Sequence, residues 1–174
     1  MVDFSLSEEQ ELIQETARSF AATLRLRLRE FEEAGAIAPD VLHSYSELGL
    51  AAIDLPEAVG GAELGLLTNC LAIEELAAAD LGSAYSLPGF EPALRLVRAL
   101  GSVEQQARLL APYLENAGWC GAVAWHDAEP VVATQKGDGW ELSGGKVAVE
   151  RAPTAAYFIV RAQVGDGARL FVVM

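Results

Sequence analysis

The feature that most limits what this chain can fold into is a single change of hydrophobic period near Gly118. Before it, apolar residues recur about every 3.6 positions, the repeat of an amphipathic helix; after it they come in short, Val-rich alternating or continuous runs. A helical part must therefore precede a strand part. Glycine-based hairpin signals punctuate the second, as Gly137-Asp138-Gly139, Gly144-Gly145 and Gly165-Asp166-Gly167.

The helical part has well-marked starts. Ser7-Glu8-Glu9-Gln10 has the form of a capping box, with acidic residues at the positive end of the helix dipole. Ile13, Ala17, Phe20, Leu24, Leu28 and Phe31 then make one stripe, and Gly35 suits a left-handed C-terminal position. A second helix starts at Pro39 and stops at Gly49. Leu50 to Gly61 reads as an apolar extended stretch followed by a structured loop, because Pro56 keeps Leu55 out of helix. Further helices are expected over about 66–80, over about 83–100 with breaks at Pro88 and Pro92, and from the cap Ser102 to Leu110.

In the second part the strand candidates are Trp119–Trp125, Val131–Gln135, Trp140–Ser143, Lys146–Val149, Ala155–Ala162 and Arg169–Val173, with the glycine pairs as hairpin turns. The fold class is α+β, an all-helical domain over 1–117 and an antiparallel β-domain over 118–174. The run Leu170–Met174 is apolar with no polar residue after it, which leaves an open strand edge. The expectation is that the barrel is incomplete here, shortened or completed by a partner.

Charge and composition narrow the function classes. With 12 basic against 25 acidic residues, the net charge of −13 disfavours a nucleic-acid phosphate backbone or an anionic membrane as partner. No apolar run reaches the length of a membrane span, and the acidic N-terminus is unlike a targeting peptide, so the expected location is cytoplasmic. Cys70 and Cys120 are expected to be reduced, buried thiols.

Few residues carry chemistry of their own. Cys70, Cys120, His43 and His126 lack metal-ligand spacing, so no metal site is expected. Cys120 with His126 is near only in sequence, and Gly144-Gly145-Lys146 sits between strands instead of opening a helix, unlike a phosphate loop. Glu74 and Glu75 point about 100° apart on a helix and share no site. Trp125-His126-Asp127 stands at a strand end, where it either lines a site or forms a solvated, Trp-anchored terminus.

Several segments in register resemble the acyl-CoA dehydrogenase family. They are Ser7-Glu8-Glu9-Gln10, Glu47-Leu48-Gly49-Leu50, Leu55-Pro56-Glu57-Ala58-Val59-Gly60-Gly61, Ile73-Glu74-Glu75-Leu76-Ala77, Gly101-Ser102-Val103-Glu104-Gln105-Gln106, and Gly137 through Lys146. The resemblance implies N-terminal helices, a middle β-barrel and a C-terminal helical bundle. It implies FAD as cofactor and an acyl-CoA as substrate, whose α-proton goes to a carboxylate base while the β-hydride goes to the flavin. It also implies homo- or hetero-oligomers with acyl-CoA dehydrogenase-type subunits.

The chain departs from that family pattern where flavin would lie. Trp125-His126-Asp127-Ala128-Glu129-Pro130 stands in place of a Thr-Glu-Pro-x-Ala-Gly-Ser-Asp loop, and Ala148-Val149-Glu150 in place of Trp-Ile-Thr. The resemblance thus puts Trp125, His126, Asp127, Ala148 and Glu150 at cofactor-facing positions, and Tyr85, Leu87 and Phe90 along the acyl channel. It leaves no residue of this chain as the catalytic base. Two functions follow as expectations: part of an FAD-dependent enzyme desaturating an acyl-CoA, or a degenerate, non-catalytic subunit that pairs with an active one. The 174-residue chain by itself is expected to bind no FAD and to be inactive.

Overall fold

The computed structural model describes residues 5–174. They fall into two compact units, 5–90 with 97–118, and 91–96 with 119–174.

The first unit is helical. Helix α1 (Glu8–Ala34) begins as its capping box requires, the Gln10 amide donating to Ser7 Oγ at 3.2 Å and the Ser7 amide donating to Gln10 Oε1 at 3.0 Å. It ends where Gly35 turns left-handed. Ala17, Phe20, Ala21, Leu24 and Phe31 are buried, with Ile13 and Leu28 packed at the margin of the same core. Helix α2 (Pro39–Glu47) contributes Val41 and Tyr45. The Tyr45 ring lies 5.4 Å from that of Phe20, and its hydroxyl donates to the Pro88 carbonyl at 3.0 Å.

Between residues 50 and 61 the chain is not extended. It makes two short 3-10 turns, Leu50–Ala52 and Glu57–Val59. Apolar content suggested an extended stretch, but the backbone satisfies itself locally: the Ala52 amide donates to Gly49 O at 3.0 Å and that of Leu55 to Ala52 O at 3.2 Å. The returning chain then donates from Glu63 to Leu55 O and from Leu64 to Ile53 O. Buried Asp54 pairs with Arg98, which also lies 3.5 Å from Glu63.

Helix α3 (Gly65–Ala79) is followed at once by α4 (Leu81–Ser86), whose N-cap Asp80 accepts from the Ser83 amide at 2.6 Å. The expected helix over 83–100 is two helices, because Leu87 is held extended before Pro88 and α5 (Pro92–Leu100) restarts on a proline. Helix α6 (Val103–Leu110) has a second capping box, Ser102 with Gln105, and α7 (Pro112–Glu115) is a single turn. Cys70 is exposed on α3, contrary to the expectation of a buried thiol, while Cys120 is buried.

The second unit holds a five-stranded sheet: β1 (Gly121–Ala124), β2 (Asp127–Lys136), β3 (Gly139–Lys146), β4 (Tyr157–Val164) and β5 (Gly167–Val173). The hairpins β2–β3 and β4–β5 are antiparallel, as expected. The sheet as a whole is mixed, which corrects the antiparallel expectation: β1 runs parallel to β4 from Gly121↔Tyr157 to Ala124↔Val160, and β2 meets β4 in parallel at Val132↔Gln163. A strand has two edges, so β1 and β2 take successive stretches of one side of β4 and β5 takes the other.

Gly144-Gly145 makes no turn, and Lys146–Val149 is no separate strand. Gly145 pairs with Glu129 inside β3, and the register shifts between Glu129 and Val132. Gly144 lies so close to β2 that a Cβ there would stand 2.4 Å from the Pro130 carbonyl. The glycines serve a bulge, and β3 therefore runs on to Lys146. Val131, Ala133 and Ala162 form the buried centre of one face, flanked by Leu142, Val160, Val164 and Phe171.

Candidate functional site

The start of β2 and the end of β3 build a charged corner of the second unit. Asp127 pairs in register with Lys146, and its carboxylate accepts directly from the Lys146 ammonium. Lys146 also donates to the Trp125 carbonyl at 3.3 Å, and its side chain is only 10% exposed. One residue further on, the Val147 amide donates to the His126 carbonyl at 2.9 Å.

Strand β4 adds a second cation. Residues 121 and 123 share a face with their partners 157 and 159, so continued alternation puts Trp125 beside Arg161. The Arg161 guanidinium lies 5.6 Å from the centre of the Trp125 ring and 3.9 Å from the second Asp127 oxygen. The Lys146 hydrogen bond and charge, with Arg161 adding to them, hold the Asp127 carboxyl below the usual range for aspartate. It is therefore ionised at neutral pH, and the corner holds two cations around one anion.

Of the sequence-picked cofactor positions, Trp125, His126 and Asp127 thus meet the β3 end. Ala148 follows on the β3–β4 connection in a left-handed conformation (φ 51°), and Glu150 lies beyond it; both are exposed. The acyl-channel positions belong to the helical unit and fare differently. Tyr85 is exposed on α4, Leu87 is wholly buried in the helical core, and Phe90 packs against that core half-buried. Sequence reasoning missed Arg161 and read Lys146 as the first residue of a separate strand after a Gly144-Gly145 turn. The readable signal was a lone arginine inside the apolar run Tyr157–Ala162.

Among the described residues there is no cluster of His, Cys, Asp or Glu able to hold a metal ion, and no helix long and apolar enough to cross a membrane. The family model for the acyl-CoA dehydrogenase N-terminal domain matches residues 7–117, more than half of the chain. The chain belongs to the acyl-CoA dehydrogenase family. It is similar to benzylmalonyl-CoA dehydrogenase of Aromatoleum aromaticum, 31% identical across 97% of this chain and 47% of that protein. Its fold matches butyryl-CoA dehydrogenase from Megasphaera elsdenii with a TM-score of 0.84, covering 99% of this chain and 50% of that one at 23% identity. It also matches a variant of the Tcur3481-Tcur3483 steroid ACAD at 31% identity and a TM-score of 0.81, over 97% of this chain and 48% of that one. The chain spans about half the length of these relatives.

Where the resemblance leads to the expectation of a flavin, the polar groups described at these strand ends are largely engaged with one another, which suits a flavin poorly. The ring carbonyls and phosphates of FAD are hydrogen-bond acceptors and need N–H or O–H donors. Here the Lys146 ammonium donates to Asp127 and Trp125 O, the Arg161 guanidinium faces Asp127, and the Val147 amide is bonded to His126 O. Asp127 and Glu150 bring carboxylates, which accept hydrogen bonds and repel phosphate when ionised.

Proposed function

We propose that the chain is part of an acyl-CoA dehydrogenase-type protein whose complete form carries out the FAD-dependent α,β-desaturation of an acyl-CoA thioester. The observation that supports this most is the family match over residues 7–117 combined with strand topology continuing to Val173 in the arrangement of those relatives. In this reading 1–117 is the helical domain and 118–174 a partial middle β-domain. The chain supplies framework and no catalytic base. Tyr85, exposed on α4, is the acyl-channel position still able to meet a fatty chain, since Leu87 is spent on core packing. The protein works in the cytoplasm as an oligomer of acyl-CoA dehydrogenase-type subunits, homomeric or heteromeric.

A second reading is favoured by one specific observation, the Asp127 carboxylate held between Lys146 and Arg161 at the strand ends where the family resemblance leads one to expect a flavin. In it the chain belongs to a non-catalytic subunit that pairs with a flavin-bearing homologue and serves as scaffold or regulator. The visible spectrum of the complete protein separates the two. Stoichiometric flavin absorbance in the complete protein purified alone excludes the non-catalytic subunit. Colour and acyl-CoA-dependent reduction of an artificial acceptor that arise only with a co-purifying homologue exclude the self-sufficient enzyme.

A further inference from the structure

The corner where β1, β2, β3 and β4 meet is a charge cluster with a fixed membership. Lys146 is nearly enclosed, and a desolvated ammonium requires an anion. Arg161 is steered to the same place by its stack on Trp125, with its guanidinium 3.9 Å from Asp127. Two cations converging on one point are the usual means of holding a phosphoryl group. In this chain the point is already taken, because the β2–β3 register sets Asp127 opposite Lys146 and presents one carboxylate oxygen to each cation.

We propose that Asp127 is the specificity-determining residue of a dibasic corner, an internal anion that closes to phosphoryl-bearing ligands, the diphosphate of FAD among them, a site that Lys146 and Arg161 would otherwise form. A phosphate entering beside the carboxylate would meet a like charge, and one entering in its place would have to break both ion pairs. The inference deepens the non-catalytic reading and rests on it for where flavin is absent, yet it concerns the chemistry of one corner and is separately testable.

The test uses the full chain with inorganic pyrophosphate and with FAD as probes, followed by calorimetry and tryptophan fluorescence at low ionic strength. The wild type is expected to show no saturable binding of pyrophosphate where Asp127→Ala saturates, a gain of about tenfold or more in affinity. Asp127→Asn keeps the side-chain shape, removes the charge, and is expected to gain in the same direction, so it decides the matter should Asp127→Ala fail to fold. Adding Lys146→Ala to Asp127→Ala is expected to abolish the gain, and Asp138→Ala in the β2–β3 turn to produce none. Wild type binding either probe as tightly as the variants, or no gain in the folded variants, overturns the inference. A flavin-bearing complete protein sinks the non-catalytic reading and, with it, the exclusion of the FAD diphosphate, whereas a colourless protein with no gain in the folded variants overturns this inference alone.

Discussion

Trp140 on β3 and Phe171 on β5 have ring centres 5.5 Å apart, although β2 and β4 run between their strands. Three strand spacings of about 4.8 Å would set flat neighbours about 14 Å apart. The gap is closed by the curl of the sheet and by the reach of two large side chains. Arg169, from the same face of β5, places its guanidinium 5.5 Å from the Trp140 ring centre and covers it.

That contact makes Trp140 a clasp on the curl. Trp140→Ala is expected to lower the stability of the strand unit by about 1–2 kcal/mol, through the lost ring pair and the lost apolar cover. Trp140→Phe keeps an aromatic partner for Phe171 and is expected to cost clearly less. Urea denaturation read by near-UV circular dichroism checks the pair, and equal losses would show that the ring contact contributes nothing.

Tyr45 is wholly buried, and its hydroxyl donates to the Pro88 carbonyl. Tyr45→Phe leaves the ring against Phe20 but strips that carbonyl of its donor. An expected loss of about 1–3 kcal/mol follows from the buried, unpaired acceptor. Because the bond joins α2 to the segment before α5, its loss should also appear as faster amide exchange at Leu87, measured by hydrogen–deuterium exchange.

The helical half was legible because its signals are local. Both capping boxes, the α1 stripe and the Gly35 stop depend on residues within a turn or two of one another. The parallel pairing of β1 with β4 was not legible, since both are short apolar runs and nothing in either specifies direction. Gly144-Gly145 misled because paired glycines suit a hairpin turn and a bulge equally, and the close approach to Pro130 that decides between them is a tertiary fact. The candidate site was half-readable for the same reason. Trp125, His126 and Asp127 stand out at a strand end, but Lys146 reaches Asp127 only through the bulged register and Arg161 only through the parallel alignment.

Gly61 and Gly35 separate space from backbone conformation. A Cβ at Gly61 would lie 2.2 Å from the Leu55 carbonyl oxygen, inside the fold-back of the 50–64 loop. Gly35 meets nothing within 4 Å but has φ +66°. Gly61→Ala is expected to cost about 1–3 kcal/mol or prevent the loop from closing. Gly35→Ala should cost about 1–2 kcal/mol, the ordinary penalty of a left-handed L-residue. A thermal melt of the two variants ranks them, and Gly61→Ala proving neutral would mean that the loop relaxes away from Leu55.

The charged corner gives the strand unit an acid dependence of definite sign. Asp127 in the folded protein ionises below its ordinary value, chiefly because Lys146 donates to it. A lowered folded value means that the ion pairs contribute their stability fully above the unfolded pKa of about 3.9 and lose it as pH falls through the lowered one. The other carboxylates held low by hydrogen bonds, Glu30, Asp40, Glu75, Asp80 and Glu104, all belong to the helical unit. Titration of the Asp127 carboxyl by NMR is expected to fall below that of a free aspartate, and Lys146→Ala to move it upward. In parallel, the urea midpoint of the strand unit should decline on acidification in the wild type and change less in Asp127→Asn, whose amide has no proton to take up. An Asp127 that titrates at the free value, or an unchanged midpoint slope in Asp127→Asn, would show that the carboxylate is solvated and that the corner is not closed by charge.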